Sequence, residues 1–247
     1  MNTSMNRRGI AVVSGGSSGI GRAFVQRLHG LGYQVLFCGR DERKLRLVEQ
    51  ECPGARGFAC DVADQESVLR FAEAVLREFP VVDLLVSNAG HLREIDFTRA
   101  DLRAADLGEE IRVNLLGAVQ LVAAFLPGLR GAARPAIVVI SSGYALAPAT
   151  RAPLYSAAKA GLHSFCKALR RQLAPTGMLV VEVLPPVVDT PSVAHREVAK
   201  MPPEQLVSQT LAAVDRRRTE VHPGAVRWLP LLLRLAPGLA ERIVARS

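Results

Sequence analysis

Tyr155 and Lys159 stand four residues apart in a stretch, Pro153–Leu173, whose pattern predicts a helix, so both side chains project from one face. A phenol beside an ammonium is a proton-transfer device. Tyr ordinarily has a pKa of about 10 and is a poor acid at neutral pH. A cation nearby stabilises the phenolate and lowers that value, and Tyr155 could then exchange a proton with a carbonyl or alcohol oxygen. Ahead of it, the β-branched apolar run Ile137–Ile140 predicts a buried strand that ends on two hydroxyls, Ser141 and Ser142. Taken alone, Tyr-x-x-x-Lys reads equally well as an amphipathic surface pair.

A second constellation lies near the start of the chain. Residues 14–21, Ser-Gly-Gly-Ser-Ser-Gly-Ile-Gly, separate the short apolar run Ile10–Val13 from a helical pattern over Gly19–Leu31. Glycines let a backbone turn tightly and approach a ligand, and a helix N-terminus presents free N–H groups to phosphate. The spacing of Gly15, Gly19 and Gly21 is not the common dinucleotide fingerprint. A strand–turn–helix context nonetheless points to cofactor binding.

The elements that must position these groups alternate along the chain. Strands are predicted at Ile10–Val13, Gln34–Cys38, Gly57–Cys60, Val82–Val86, Ile137–Ile140 and Leu179–Val183. Helices are predicted at Gly19–Leu31, Asp41–Cys52, Ser67–Glu78, Leu107–Leu126, Pro153–Leu173 and 205–218. Such alternation implies a parallel sheet covered on both faces, here a doubly wound Rossmann-type α/β domain of about seven strands. The length of 247 residues fits one such domain. No linker or internal repeat divides the chain.

With these patterns in view, residues 8–190 resemble the short-chain dehydrogenase/reductase family. The matches are the turn at 14–21, Asp61–Val62, Ser-Asn-Ala-Gly at 87–90, Asn114 with Gly117, Ile140–Ser142, Tyr155 through Lys159, and Pro-Pro-Val-Val-Asp-Thr at 185–190. The resemblance implies that Tyr155 is the acid/base and that Lys159 lowers its pKa and holds the nicotinamide ribose. Ser142 would bond the substrate oxygen, and Asn114 would order a water leading from Lys159 to solvent. It also implies a cofactor site made of Ser14, Gly15, Ser17, Ser18, Gly19, Ile20, Gly21, Arg40, Asp61, Val62, Asn88, Ala89, Gly90, Tyr155, Lys159, Pro185, Val188 and Thr190. The activity implied is interconversion of a carbonyl and an alcohol by hydride transfer. Reduction of an imine or enoyl substrate on the same fold is one rival, and a catalytically silent scaffold member is another. No metal site is expected.

Three positions depart from the family pattern. Ser14 replaces Thr and keeps the hydroxyl. Ser87 replaces the first Asn of Asn-Asn-Ala-Gly and removes an amide beside the adenosine half, which would loosen cofactor binding. Pro186 replaces the usual Gly and fixes φ. The Pro-Pro form occurs in a subgroup loosely similar to oxidoreductases found with teichoic-acid D-alanylation genes. In that subgroup the stretch 163–173 and His222–Gly224 also have counterparts.

Cofactor choice is read at the end of the second strand, where an acid binds the ribose 2′-OH of NAD and an Arg meets the 2′-phosphate of NADP. Gly39 stands where the acid would be, Arg40 follows, and Asp41 comes one residue late. This pattern predicts NADP(H) as the preferred cofactor and NAD(H) as the alternative.

The net charge of +8 is spread over single Arg residues with no aromatic interleaving, so no nucleic-acid partner is expected. The four cysteines, Cys38, Cys52, Cys60 and Cys166, have neither disulfide nor metal-site spacing and read as reduced thiols. The first residues are too short for a signal-peptide core, and no run approaches the ~20 apolar residues of a bilayer span. A soluble cytoplasmic protein is the default expectation.

Segment 189–247 should form a substrate flap, hinged or broken at Met201–Pro203, and a C-terminal cap or interface. The apolar tail 224–240 is expected to pack on the flap or on a partner subunit rather than on a membrane. An Ala- and Gly-rich helix face at Ala157, Ala158, Ala160 and Gly161 adds to the expectation of a homodimer or homotetramer. Pocket walls are expected from His91–Phe97, Gly143–Pro153 and 188–240, around a small-molecule carbonyl or alcohol. His91, Arg93, Tyr144 and Arg151 are the candidate polar contacts.

Overall fold

The computed structural model describes residues 8–99, 102, 106–194 and 196–245; the extreme N-terminal segment weighed as a signal peptide falls mostly outside them. Seven parallel strands form one sheet in the order β3-β2-β1-β4-β5-β6-β7. These are β1 (Gly9–Ser14), β2 (Tyr33–Gly39), β3 (Arg56–Ala59), β4 (Leu84–Ser87), β5 (Ala136–Ile140), β6 (Leu179–Val183) and β7 (Glu220–Val221). The seventh, two residues long, follows the stretch expected to be helical and has no sequence signal of its own. The helices are α1 (Gly19–Gly30), α2 (Glu42–Glu51), α3 (Gln65–Glu78), α4 (Glu109–Ile111), α5 (Gly117–Arg130), α6 (Pro153–Leu173), α7 (Pro203–Asp215), α8 (Leu229–Leu235) and α9 (Pro237–Ala245).

The central strands are almost wholly apolar because both faces are covered: β4, β5 and β6 are buried throughout, and the one acid among them, Glu182 of β6, is paired with His163 at 2.8 Å. Their side chains alternate between two cores. Val12, Leu85, Ile137, Val139 and Val180 meet Phe71, Leu121 and Phe125 of α3 and α5. Val13, Val86, Val138 and Val181 meet Phe24, Leu28 and Leu206 of α1 and α7.

The long helix expected over Leu107–Leu126 is not continuous. It begins as α4, passes through a π-helical turn at Arg112–Leu116, and runs on as α5 to Arg130. Contrary to the expectation that no run could span a bilayer, Glu109–Arg130 is long and apolar enough, with a mean hydropathy of 1.5. One face of it is instead committed to the core, where Leu121, Val122, Phe125 and Leu129 are buried, while Leu116 is exposed.

Candidate active site

A cleft of about 690 Å³ opens at the C-terminal ends of the strands. It lies at the reversal of strand order between β1 and β4, where open α/β sheets place their ligands.

One end of the cleft is built of backbone. Gly15 has φ +67°, and a side chain there would meet Asn88 Nδ2 at 2.9 Å. At Gly21 a Cβ would stand 2.1 Å from Gly15 O, so α1 can leave the turn only from a glycine. Ser14 Oγ accepts from the N–H groups of Asn88 and Ala89 at 2.9 and 3.0 Å, and Asn88 Nδ2 returns a bond to Ser14 O at 3.0 Å. The two turns are thereby locked together by Ser14 and Asn88. Ser87 lies buried in β4 and takes no part in that lock.

Beyond this turn, Arg40 lines the cleft and is exposed, with no ion pair among the described residues. Asp41 is occupied elsewhere: its Oδ1 accepts from Arg43 N at 3.0 Å and Lys44 N at 3.3 Å, capping α2. A Cβ on Gly39 would lie 2.8 Å from Ser17 Oγ, so a side chain there would have to displace that hydroxyl. Asp61 and Val62 line the cleft, as do Ser17, Ser18, Gly19, Ile20, Ala89 and Gly90. Val62 O would be 2.7 Å from a Cβ on Gly117, which explains the glycine three residues after Asn114.

The other end carries the titratable groups. β5 runs into Ser141 and Ser142, held by Ser141 N donating to Val183 O at 2.8 Å. The loop beyond returns to α6, where Ser156 Oγ accepts from Ala149 N and donates to Ala152 O. That bond, with Pro153 in the first turn, fixes the start of the helix carrying Tyr155 and Lys159. Ser142 Oγ accepts from Tyr144 N at 3.1 Å and faces the Tyr155 hydroxyl closely enough to favour its ionised form. Lys159 Nζ donates to Ile140 O at 2.9 Å and lies 5.5 Å from the Tyr155 ring centroid. Asn114 sits on the π-turn, donates from Nδ2 to His91 O at 2.8 Å, and leaves Oδ1 buried without a hydrogen-bond partner. A Cβ on Gly90 would stand 2.6 Å from that Oδ1 and 3.6 Å from Lys159 Nζ, so Gly90 keeps open the space between them.

The sequence led us to expect a phenol lowered by Lys159. Burial instead pushes Tyr155 up to about 12, opposed by the Ser142 hydroxyl and the Arg196 guanidinium. Tyr144 and Glu110 raise it further. Lys159 is itself drawn down to about 8 by burial. In an enclosed site, loss of hydration outweighs the neighbouring ammonium, which is aimed at a backbone carbonyl.

Residues 9–200 match the family model of the short chain dehydrogenases. The uncharacterized oxidoreductase DltE of Bacillus subtilis is 41% identical over 179 residues, covering 72% of this chain and 71% of that protein. This chain belongs to the short chain dehydrogenase family. A fatty acyl-CoA reductase of Acinetobacter baylyi is 27% identical over 93% of the chain and 81% of its own length. A Burkholderia cenocepacia short chain dehydrogenase, solved in complex with NADP, superposes with a TM-score of 0.86 at 24% identity, covering 98% of this chain and 99% of that one.

Of the polar contacts the sequence suggested for this short chain dehydrogenase, His91 and Tyr144 line the cleft. Arg93 and Arg151 do not: their guanidinium groups pair with Glu109 at 3.6 Å and Glu94 at 3.6 Å. A further residue, Arg196, joins His91 and Tyr144. Its side chain is 3% exposed, lines the cleft, and donates to Glu94 Oε1 at 2.7 Å, with Tyr144 Oη at 3.5 Å. Arg196 lies in a segment without family motifs, and nothing in the sequence separates it from the exposed Arg residues.

The segment after β6 folds over the same space. It is pinned at its base, where Met201 N donates to Val187 O and Asp189 N to Met201 O, both at 2.9 Å. The hinge or break expected at Met201–Pro203 is thus a bridge to Val188 followed directly by α7. Thr190 covers the glycine turn, its Cγ2 lying 2.9 Å from where a Gly19 Cβ would be. Pro185 and Val188 line the cleft beside it. Pro186 packs under Gly224, which adopts φ +58° and whose Cβ would meet Pro186 Cγ at 3.4 Å. The Pro-Pro departure and the His-Pro-Gly turn are therefore one packing unit.

Proposed function

We propose that this protein is an NADP(H)-dependent oxidoreductase interconverting a carbonyl and an alcohol. The observation that carries the reading is the convergence of Ser142, Tyr155 and Lys159 at one end of a cleft whose other end is a glycine-lined turn. The residues present fit a dinucleotide: a cradle that any Cβ at Gly15 or Gly21 would fill, an Arg40 beyond it that has no ion pair among the described residues, and buried Ser141 Oγ and Asn114 Oδ1 that have no hydrogen-bond partner among them at the far end. Gly15–Gly21, Asn88–Gly90 and Thr190 would hold the pyrophosphate and adenosine half, with Arg40 at the 2′-phosphate. Lys159, Pro185 and Val188 would hold the other half.

The bound nicotinamide supplies the hydride. Everything else falls to side chains. Tyr155 Oη gives its proton to the substrate oxygen as negative charge gathers there, and Ser142 Oγ donates to the same oxygen. A phenol held near 12 stays protonated at neutral pH, which suits the reducing direction. Asn114 Oδ1 and Lys159 Nζ, facing the space beside Gly90, would order the water that returns the proton.

The substrate half is walled by Val226, Trp228, Leu229, Leu232 and Ile243. That wall favours a carbonyl carried on an apolar chain, in keeping with the name of the Acinetobacter relative. Segment 189–247 serves as flap and cap on this reading. Exposed small residues Ala157 and Ala160 on α6 would let a second copy approach, as in a homodimer or homotetramer.

The test is NADPH oxidation by the wild type and Tyr155→Phe across a panel of ketones, aldehydes and imines. The Phe variant should lose at least ~10²-fold in rate while still binding NADPH. If it kept more than about a tenth of the activity on a confirmed substrate, Tyr155 would not be the acid.

A further inference from the structure

The last two helices hold their inner face to the core and leave large apolar side chains outside it. Val226, Leu229 and Ala240 pack with Leu184. On the outer side, Trp228 is 60% exposed, Leu231 52%, Leu235 73%, Leu239 53% and Ile243 55%. Trp228 at the N-cap of α8 is followed at helical spacing by Leu231 and Leu235 on that helix, Leu239 and Ile243 lie on α9, and the two helices pack on each other. A patch of this kind marks an interaction surface.

Two observations say what covers it. Residues 224–245 carry exposed Arg227, Arg234 and Arg242 against one acid, Glu241. The patch is also continuous with the cleft: Trp228 and Ile243 line it from one side of its mouth and the exposed Val198 of the flap from another. A two-fold contact between copies through this patch would bring the Arg residues of both into one interface, and the cores of homodimer interfaces are depleted of charge. A short amphipathic helix pair with aromatic and aliphatic side chains on one face and Arg beside them suits a lipid interface.

We propose that the outer face of α8 and α9 docks the protein on an anionic lipid surface, with the cleft mouth turned towards it. Membrane contact is the occupant that the sequence ranked lowest for this tail. Exposure of the apolar side chains, which the sequence does not display, reverses the order. The proposal stands independently of the carbonyl reading.

The test is flotation of the full-length protein with vesicles of equal parts phosphatidylglycerol and phosphatidylcholine, and with phosphatidylcholine alone. The protein should float with the anionic vesicles and bind about tenfold less to neutral ones or at high salt. The variant Leu231→Ser/Leu235→Ser/Leu239→Ser, which leaves the cleft lining intact, should stay at the bottom of the gradient. Arg234→Gln/Arg242→Gln, which alters charge only, should weaken binding about tenfold. Failure of the wild type to float would overturn the proposal, as would flotation unaffected by both variants. So would light scattering in which the Ser variant merely splits an oligomer that never bound vesicles.

Discussion

At the nucleotide end of the cleft the walls are backbone, and at the substrate end they are side chains. The first is set by places where no Cβ fits: 2.1 Å from Gly15 O at Gly21, 3.0 Å from Ala89 Cα at Gly15. The second is set by residues such as Arg196, Trp228 and Ile243, delivered by a flap and two short helices. Backbone walls leave a spacing in the sequence because glycine has no substitute there. Side-chain walls leave none, because many residues can fill them.

The sharpest test of the backbone wall is Gly21→Ala. The added carbon meets a carbonyl of the turn rather than a flexible side chain, so α1 must shift. Overpacking of this kind ordinarily costs ~1–3 kcal/mol and here should exceed it, lowering the urea midpoint and abolishing NADPH binding. A Gly21→Ala variant that bound NADPH normally would show that the turn is not a fitted cradle.

The floor between the two ends is probed through Lys159. Its pKa is lowered from 10.5 to about 8 in the folded chain, so between these values the unfolded state holds the extra proton. Stability must then rise with pH across that window, on the order of 3 kcal/mol in total, and Lys159→Met should flatten the rise. Above pH 10 the raised Tyr155 acts oppositely, since the unfolded phenol loses its proton first. Urea unfolding from pH 7.5 to 9.5 without nucleotide measures the Lys159 contribution; identical slopes in both proteins would refute it.

Arg40→Asp separates the ends by cofactor. A charge-assisted hydrogen bond to phosphate contributes about 1.5–3 kcal/mol, so NADPH affinity should fall roughly ten- to a hundred-fold and NADH overtake it. Equal affinities for the two cofactors in the unaltered protein would remove Arg40 from the site.

The smallest effect is expected at the flap. Arg196→Met keeps the volume but releases Glu94, which is itself 39% exposed. The Glu94 left behind keeps contact with water and faces Arg151 at 3.6 Å, so the loss should stay near the ~0.2–1 kcal/mol of an exposed pair even though Arg196 itself is buried. KM for substrate should rise two- to fivefold, with NADPH affinity unchanged. A larger loss in kcat than in KM would place Arg196 among the groups that act on the reacting oxygen.

Ile137–Ile140 and Pro153–Leu173 were legible because a strand buried on both faces must be apolar throughout, and a helix with Pro at its start has few alternatives. The family motifs marked Ser142, Tyr155, Lys159 and Asn114, and the structure brings them to one cleft. The π-turn under Asn114 was not legible: an inserted helical residue changes which side chains face the cleft without altering the apolar pattern. Nor was β7, whose two residues form a strand only because β6 offers an edge.

Sequence alone determined the strand–helix alternation, the glycines where a backbone must pass and the hydroxyl–phenol–ammonium set, since each is a local requirement written in residue type. Tertiary structure decided what depends on distant neighbours. Burial raises Tyr155 and lowers Lys159; Asp41 turns to cap α2 and leaves Arg40 without an ion pair among the described residues; Arg196 is drawn inward to Glu94 across 102 positions; and Trp228 with four apolar residues of the last two helices remains exposed. Solvation and pairing are properties of an environment assembled from the whole chain, and a residue's own letter does not carry them.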